Sequence, residues 1–168
     1  MTDVANKART KTITWADPME ALTKGSDLSG LEFIQAIFAG DLPAPPITET
    51  MGFTGGSAEA GKATFVGEAG EHLYNPIGVV HAGFAMTILD SAMGCAVQTT
   101  LAAGEGYTTL ETKVNFVRPI TLETGPVRCE GTVLHRGGKV ATAEGRLIAE
   151  RTGKLLAHGT STCLVFKR

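Results

Sequence analysis

The chain has 168 residues and a mass of 17.5 kDa, which is enough for one domain. Its 15 basic and 17 acidic residues nearly cancel, which argues against a protein that binds nucleic acid through bulk charge. Hydrophobic residues make up 43% of the chain, so a folded core is expected rather than disorder. We find no stretch with the roughly 18 apolar residues of a membrane span and no signal-peptide pattern at the start. These features predict a cytoplasmic protein with neither a nucleic-acid nor a membrane partner.

The three cysteines, Cys95, Cys129 and Cys163, are widely spaced and form no C-x-x-C pair. An odd number of cysteines without a zinc pattern is typical of buried thiols in a reducing compartment. We therefore expect no disulfide framework and no metal site.

The sequence divides into an N-terminal arm, residues 1–47, and a main domain, residues 48–168. The first 27 residues are polar and irregular, and they predict a partly ordered segment. Ser29 and Glu32 then have the spacing of a capping box, and Gly40 stands where a helix commonly ends. This pattern predicts a short amphipathic helix at about 30–39. A proline-rich extended connector follows it at residues 42–46.

Beyond the arm, the pattern changes to short strand-like runs with one helical interruption. Apolar residues recur at intervals of three and four over residues 83–100, which is typical of a helix. The predicted strands lie at 48–56, 61–68, 108–117, 127–135, 140–150 and 155–166, with a short extended piece at 72–75. The pattern predicts an α+β fold in which an antiparallel sheet of five to six strands covers one long central helix. The exposed edges of such a sheet favour self-association.

Chemistry is predicted at the start and in the middle of this helix. The backbone N–H groups of His81, Ala82 and Gly83 lie where a helix begins and have no intrahelical partner, so they can bind an anion or a developing oxyanion. Asp90 stands in the middle of the helix, where aspartate is a poor helix former. If its face is buried, the carboxylate must be paired or functional, and burial would raise its basicity.

Helix geometry restricts how these two features can cooperate. Ala82 and Asp90 are eight residues apart, so their backbones lie about 12 Å apart along the axis and about 80° apart around it. One small reacting group cannot easily meet both within one chain. A site that uses both therefore predicts a dimer with two shared sites.

Three blocks of sequence resemble a known family. They are Asn75-x-x-Gly78-x-x-His81-Ala82-Gly83, then Leu89-Asp90-Ser91-Ala92, then Tyr107 to Pro119. In order and spacing they resemble hotdog-fold thioesterases of the phenylacetate-pathway (PaaI-like) group, and the resemblance covers roughly residues 48–166. It implies hydrolysis of an acyl-CoA thioester by a homodimer or homotetramer. It also implies that no metal or cofactor is needed, because coenzyme A is part of the substrate.

The resemblance assigns roles to five residues. Asp90 matches the catalytic carboxylate, either as general base or as nucleophile, and Ala82 matches the backbone donor to the thioester carbonyl. Asn75 matches a residue that orients water or substrate, although it could equally hold an Asn-Pro turn. His81 is expected to brace the turn, and Thr108 matches a hydroxyl near the carboxylate, although it could be an ordinary strand residue.

A second set of residues is expected to contact substrate: Gly83, Tyr74, Thr109, Arg136 and Lys139. Gly83 allows a ligand to approach the backbone, Tyr74 either lines a pocket or packs, and Arg136 and Lys139 flank a turn from which they could reach coenzyme A phosphates. The family usually has His-Gly-Gly where this chain has His81-Ala82-Gly83. An alanine keeps the N–H but disfavours positive φ, so this difference is expected to affect substrate range more than the reaction.

Two other functions compete with the thioesterase. One is a non-catalytic hotdog module that binds acyl-CoA as a sensor, and Asp90 argues against it because a binder gains nothing from a carboxylate beside a thioester. The other is a hotdog hydratase or dehydratase, which would need a carboxylate and a histidine together across the site. His81 precedes Asp90 by nine residues, an arrangement closer to that of the thioesterases.

Overall fold

The computed structural model describes residues 8–168. Its helices are α1 (Pro18–Lys24), α2 (Gly30–Ala39), α3 (Pro46–Met51) and α4 (Ala82–Gln98). Its strands are β1 (Phe53–Glu59), β2 (Lys62–Gly67), β3 (Glu105–Phe116), β4 (Val127–Arg136), β5 (Val140–Ala149) and β6 (Leu155–Lys167). Two short 3₁₀ helices lie at Glu71–Leu73 and Leu122–Thr124.

The six strands form one antiparallel sheet in the order β1-β2-β4-β5-β6-β3. The sheet packs around α4, whose inner face is fully buried through Ile88, Leu89, Ala92 and Met93. This arrangement confirms the predicted α+β hotdog architecture of one long helix within one antiparallel sheet. Consequently β1 and β3 are the two edge strands.

Two glycines on the inner face of the sheet allow the central helix to lie close to it. A Cβ atom at Gly131 would overlap the carbonyl oxygen of Ala92, and one at Gly145 would lie 2.9 Å from a methyl carbon of Leu89. The backbone of α4 is thus in direct contact with β4, which explains why small residues alternate with large ones on this face.

The arm contains more helix than its composition predicts. The capping box of α2 is confirmed, because the Ser29 hydroxyl accepts from the Glu32 N–H and the Glu32 carboxylate accepts from the Ser29 N–H. The prediction that residues 1–27 are irregular is wrong for Pro18–Lys24, where Asp17 caps α1. Residues 1–7 of that predicted segment lie outside the described residues.

A second difference concerns the start of the main domain. The last residue of the predicted connector, Pro46, and the first part of the strand predicted at 48–56 form α3 instead, and β1 begins only at Phe53. Pro46 is the first residue of α3, a position where its fixed φ and missing N–H suit a helix. Gly52 ends this helix at a φ of 76°, which turns the chain into β1. The short extended piece predicted at 72–75 is mostly the 3₁₀ helix, followed by an isolated bridge between Tyr74 and Val80.

Candidate active site

His81 caps the N-terminus of α4. Its Nδ1 atom accepts a hydrogen bond of 2.9 Å from the Gly83 N–H, and its own N–H donates to the Leu73 carbonyl. A Cβ atom at Gly83 would lie 3.0 Å from this Nδ1 atom, so the cap favours glycine there. His81 therefore braces the turn, and the Gly83 N–H expected to face substrate is occupied by the cap.

Ala82 is the first residue of α4, and its N–H has no partner within the helix. No hydrogen bond to this N–H is present among residues 8–168. No residue other than glycine has a positive φ in the described chain, so Ala82 fits its place without backbone strain. The expected difficulty of alanine at this position does not arise, because the residue is already helical.

An open cavity of about 340 Å³ adjoins this helix start. It is lined by the helix N-terminus, by the end of β3 and by the chain that follows it, including Asn75, His81, Ala82, Phe116, Arg118 and Ile120. Phe116 is 51% exposed at its rim. The cavity can therefore admit a ligand next to the unpaired Ala82 N–H.

Asn75 holds the loop that precedes the helix. Its Oδ1 atom accepts from the N–H groups of Ile77 at 3.1 Å and Val79 at 3.3 Å, and its backbone N–H donates to the Val79 carbonyl. Its side chain also lines the cavity. Asn75 thus shapes the turn with its carbonyl oxygen, and its amide nitrogen makes no hydrogen bond to residues 8–168.

Asp90 is exposed in the described chain, contrary to the burial that its apolar neighbours suggested. The reason is that the sheet covers only one side of α4, and Met86 and Asp90 lie on the uncovered side. The carboxylate is nevertheless held in place. Its Oδ1 atom accepts from the Thr109 hydroxyl at 3.1 Å and faces the Thr112 hydroxyl at 3.4 Å.

A β-bulge explains how two threonines three residues apart reach the same carboxylate. In a regular strand, residues 109 and 112 would point to opposite faces. The pairing of β3 with β6 shifts between Thr109 and Glu111, so that Thr109 pairs with Cys163 and Thr112 with Ser161, both buried on the inner face. The extra residue in the bulge restores both hydroxyls to the side of α4.

The prediction that Thr108 is the hydroxyl beside the carboxylate is not supported by this geometry. Thr108 is exposed, lies opposite Leu164 and makes no hydrogen bond with Asp90. Thr109, expected only among the substrate contacts, occupies that place instead, and sequence reasoning missed Thr112. The period-two alternation of β3 could not have revealed either residue, because a bulge is not visible in that pattern.

Tyr107 shows how closely β3 approaches the helix. A Cβ atom at Gly94 would lie 2.5 Å from the Tyr107 phenol oxygen. Burial raises the pKa of Tyr107 well above its usual value, and the nearby Cys95 and Asp90 add to this effect. The phenol therefore remains neutral beside the Asp90 carboxylate.

Three residues expected to contact substrate have other surroundings. The Tyr74 hydroxyl accepts from the Leu122 N–H at 2.9 Å, which ties two loops together. Arg136 is half-buried, paired with Glu105 at 3.2 Å and bonded to the Gly137 carbonyl, while Lys139 is exposed on the same hairpin. None of these three side chains lines the cavity at the start of α4.

The described chain thus carries two candidate catalytic groups that are separated along α4. The unpaired N–H of Ala82 lies at the start of α4, and the oriented carboxylate of Asp90 lies about 12 Å further along the same helix. Asp90 is held by the middle of β3, which is an edge strand of the sheet. Within residues 8–168, no cluster of three or more metal-ligating side chains occurs, and no helix has the length and apolarity needed to span a membrane.

Comparisons with known proteins point in one direction. Residues 77–156 match the family model described as the thioesterase superfamily. A phenylacetic acid degradation-related protein from Ralstonia eutropha JMP134 is 29% identical, with a TM-score of 0.69 over 78% of this chain and 98% of the other. The phenylacetic acid degradation protein PaaI from Thermus thermophilus is 26% identical, with a TM-score of 0.63 over 71% of this chain and 97% of the other.

A more distant structure shares the fold. The smu.793 protein from Streptococcus mutans UA159, whose structure contains acetyl CoA, is 21% identical, with a TM-score of 0.60 over 70% of this chain and 89% of the other. Among curated proteins, none matches the sequence.

Proposed function

We propose that the chain is a hotdog-fold thioesterase that hydrolyses an acyl-CoA to a free acid and coenzyme A, because residues 77–156 match the thioesterase superfamily and the Ralstonia eutropha protein shares the fold at 29% identity. In this proposal, Asp90 of one subunit and the N–H of the partner subunit's Ala82 act on the same thioester. The observation that carries the proposal is the Asp90 carboxylate, exposed to ligands and oriented by Thr109 and Thr112.

The chemistry follows from two groups, the Ala82 N–H and the Asp90 carboxylate. The unpaired N–H of Ala82 and the positive end of the helix dipole stabilise the negative charge that develops on the thioester oxygen. Asp90 either takes a proton from the attacking water or attacks the carbonyl carbon itself. In the first case, water adds to the acyl carbon, the C–S bond breaks, and coenzyme A leaves as the thiolate and takes up the proton from Asp90. In the second case, the C–S bond breaks to leave a mixed anhydride on Asp90, which water then hydrolyses to the free acid and the restored carboxylate.

The requirement for a partner subunit is supported by β3. This strand is 12 residues long and forms one edge of the sheet, with Leu110 59% exposed on it. A long edge strand presents unpaired backbone N–H and C=O groups with which another chain can pair. A second copy on this edge would place its own helix next to Asp90, because Thr109 and Thr112 hold Asp90 at the middle of the same strand. A homodimer, or a homotetramer built from such dimers, is therefore part of the proposal.

Coenzyme A enters the proposal through its chemistry. A thiolate leaves readily, so one backbone donor and one carboxylate suffice without a metal. A structure with the same fold contains acetyl CoA, which supports a coenzyme A thioester as substrate.

The test is thiol release from a panel of aliphatic and aromatic acyl-CoAs. We expect Asp90→Asn to lower kcat at least about a hundredfold, since it removes the base or nucleophile. The control is Asp41→Asn, which removes another exposed carboxylate outside the site and should leave kcat unchanged. Equal rates for the wild type and Asp90→Asn would reject Asp90 as catalyst, and tight coenzyme A binding without any hydrolysis would favour the sensor.

A further inference from the structure

A second cavity, of about 260 Å³, lies between the N-terminal arm and the main domain. We call it the arm cavity. Its walls come from α2, the proline-rich connector, α3, β1 and β2, and from α4 at a single residue. Its lining includes Ile37, Phe38, Ala44, Glu49, Phe65 and Cys95. Of these, only Cys95 lies within the segment that matches the thioesterase superfamily.

The walls of the arm cavity are mainly apolar. Phe65 makes edge-to-face contacts with Phe38 at 5.1 Å and with Phe53 at 5.9 Å between ring centroids. Glu49 is the one charged side chain in the lining formed by the described residues, and it is exposed. Such walls favour an uncharged apolar group, and an aromatic ring can extend the existing edge-to-face cluster.

The arm cavity meets the central helix at Cys95, beyond the proposed catalytic carboxylate. Cys95 follows Asp90 by five residues on α4, about 7.5 Å along the helix axis and about 140° around it. A partly exposed stripe formed by Thr87, Ser91 and Cys95 on successive turns passes beside Asp90 and ends at the cavity. Burial and the nearby Asp90 charge raise the pKa of the Cys95 thiol to about 12, so the thiol stays protonated and presents a neutral wall.

From this geometry we propose that the arm cavity binds the acyl group of the thioester and limits its length. The ligand class is an uncharged apolar acyl group, either a medium-length aliphatic chain or an arylalkyl group. This inference rests on the proposed function, because the acyl carbonyl must lie at Asp90. The cavity is smaller than the roughly 300–1,000 Å³ typical of pockets for whole drug-sized ligands. Its volume therefore suits one part of a substrate, such as the acyl group.

The first test narrows the cavity from its rim. Ala44 is exposed in the connector and lines the cavity, so Ala44→Phe adds bulk there with little effect on folding. The matched control is Ala60→Phe, at an exposed turn that does not line the cavity. The substrates are acetyl-, hexanoyl-, phenylacetyl- and hexadecanoyl-CoA, with kcat/KM as the measurement.

We expect the wild type to prefer hexanoyl-CoA and phenylacetyl-CoA to the shortest and longest substrates. Ala44→Phe should lower kcat/KM for these two at least about tenfold and change that for acetyl-CoA by less than about twofold, because only the larger groups enter an apolar pocket. Ala60→Phe should match the wild type. A comparison of kcat/KM for hexanoyl-CoA and phenylacetyl-CoA shows whether the cavity prefers an aliphatic or an arylalkyl acyl group.

The second test enlarges the cavity. Ile37→Ala shortens one wall side chain, and we expect decanoyl-CoA to gain relative to hexanoyl-CoA. An unchanged order of substrates in both Ala44→Phe and Ile37→Ala, with hydrolysis still dependent on Asp90, would overturn the acyl pocket and leave the thioesterase intact.

Binding gives a readout that does not depend on catalysis. S-hexyl-CoA and S-methyl-CoA are thioethers that cannot be hydrolysed, and calorimetry can compare their affinities. The wild type and Ala60→Phe should bind the hexyl compound more tightly, and Ala44→Phe should lose that preference. If Ala44→Phe alone loses the preference for S-hexyl-CoA and no thioester is hydrolysed, the proposed function is wrong and the pocket is supported. Equal affinities of the wild type for S-hexyl-CoA and S-methyl-CoA would overturn the pocket.

Discussion

The Thr109 hydroxyl donates a hydrogen bond of 3.1 Å to the Asp90 carboxylate, joining an edge strand to the uncovered side of the central helix. Thr112 adds a second hydroxyl at 3.4 Å, brought to the same side by the bulge. The carboxylate is therefore exposed to ligands and oriented by two hydroxyl groups of β3. This is the arrangement that a catalytic base needs, because the position of its oxygen atoms must be set before the substrate binds.

The first prediction separates neighbouring hydroxyls on β3. Thr109→Val should lower kcat about tenfold or more, because a hydrogen bond to a charged group contributes about 1.5–3 kcal/mol. Thr108→Val makes the same chemical change one residue away, where the side chain does not meet Asp90. Its kcat should equal that of the wild type. Steady-state kinetics on one good substrate measures both, and a larger loss in Thr108→Val would contradict the assignment.

The second prediction removes a single backbone N–H. Ala82→Pro keeps the helix, because proline is favoured at the first helical position and His81 already has the extended ψ of 139° that must precede it. The change deletes the proposed oxyanion donor, so kcat should fall about 10²–10³-fold. Ala82→Val is the control for bulk, since it retains the N–H, and it should remain active. Thermal unfolding should show both variants folded; full activity in Ala82→Pro would exclude this donor.

The third prediction tests whether the site is shared between subunits. Asp90→Asn and Ala82→Pro are each expected to be nearly inactive alone. A mixed dimer of the two has one site with both defects and one site with neither, if each site takes its carboxylate and its N–H from different chains. Co-refolding equal amounts should restore about a quarter of wild-type activity, since half the dimers are mixed and half their sites are intact. No recovery in verified mixed dimers would mean that both groups act from one chain.

The fourth prediction concerns the contact between the central helix and the sheet. Gly131→Ala forces a methyl group against the carbonyl oxygen of Ala92, and such overpacking typically costs about 1–3 kcal/mol of unfolding free energy. Gly138→Ala is the matched control, because its Cβ meets open space and its φ is not positive. Urea denaturation should show a lower midpoint for Gly131→Ala alone. Equal midpoints would mean that the sheet shifts to accommodate the methyl group.

The elements of the main domain could be predicted mostly from local patterns. The Gly137-Gly138 turn joins β4 and β5, and α4 lies close to the helix predicted from apolar periodicity. The arm was harder. Asp17 followed by Pro18, and Pro45 followed by Pro46, are helix-start signals that low apolar periodicity concealed.

The sequence by itself determined the central helix, an antiparallel sheet of five to six strands, the bracing role of His81 and the place of Asp90 in that helix, because each follows from spacing within a short segment. Only the tertiary structure decided that Thr109 and Thr112, rather than Thr108, hold Asp90. It also decided that Asp90 is exposed and that the arm encloses an apolar cavity beside Cys95. The physical reason is that a β-bulge changes which face a side chain takes, and that burial depends on elements distant in the chain; neither is encoded in local periodicity.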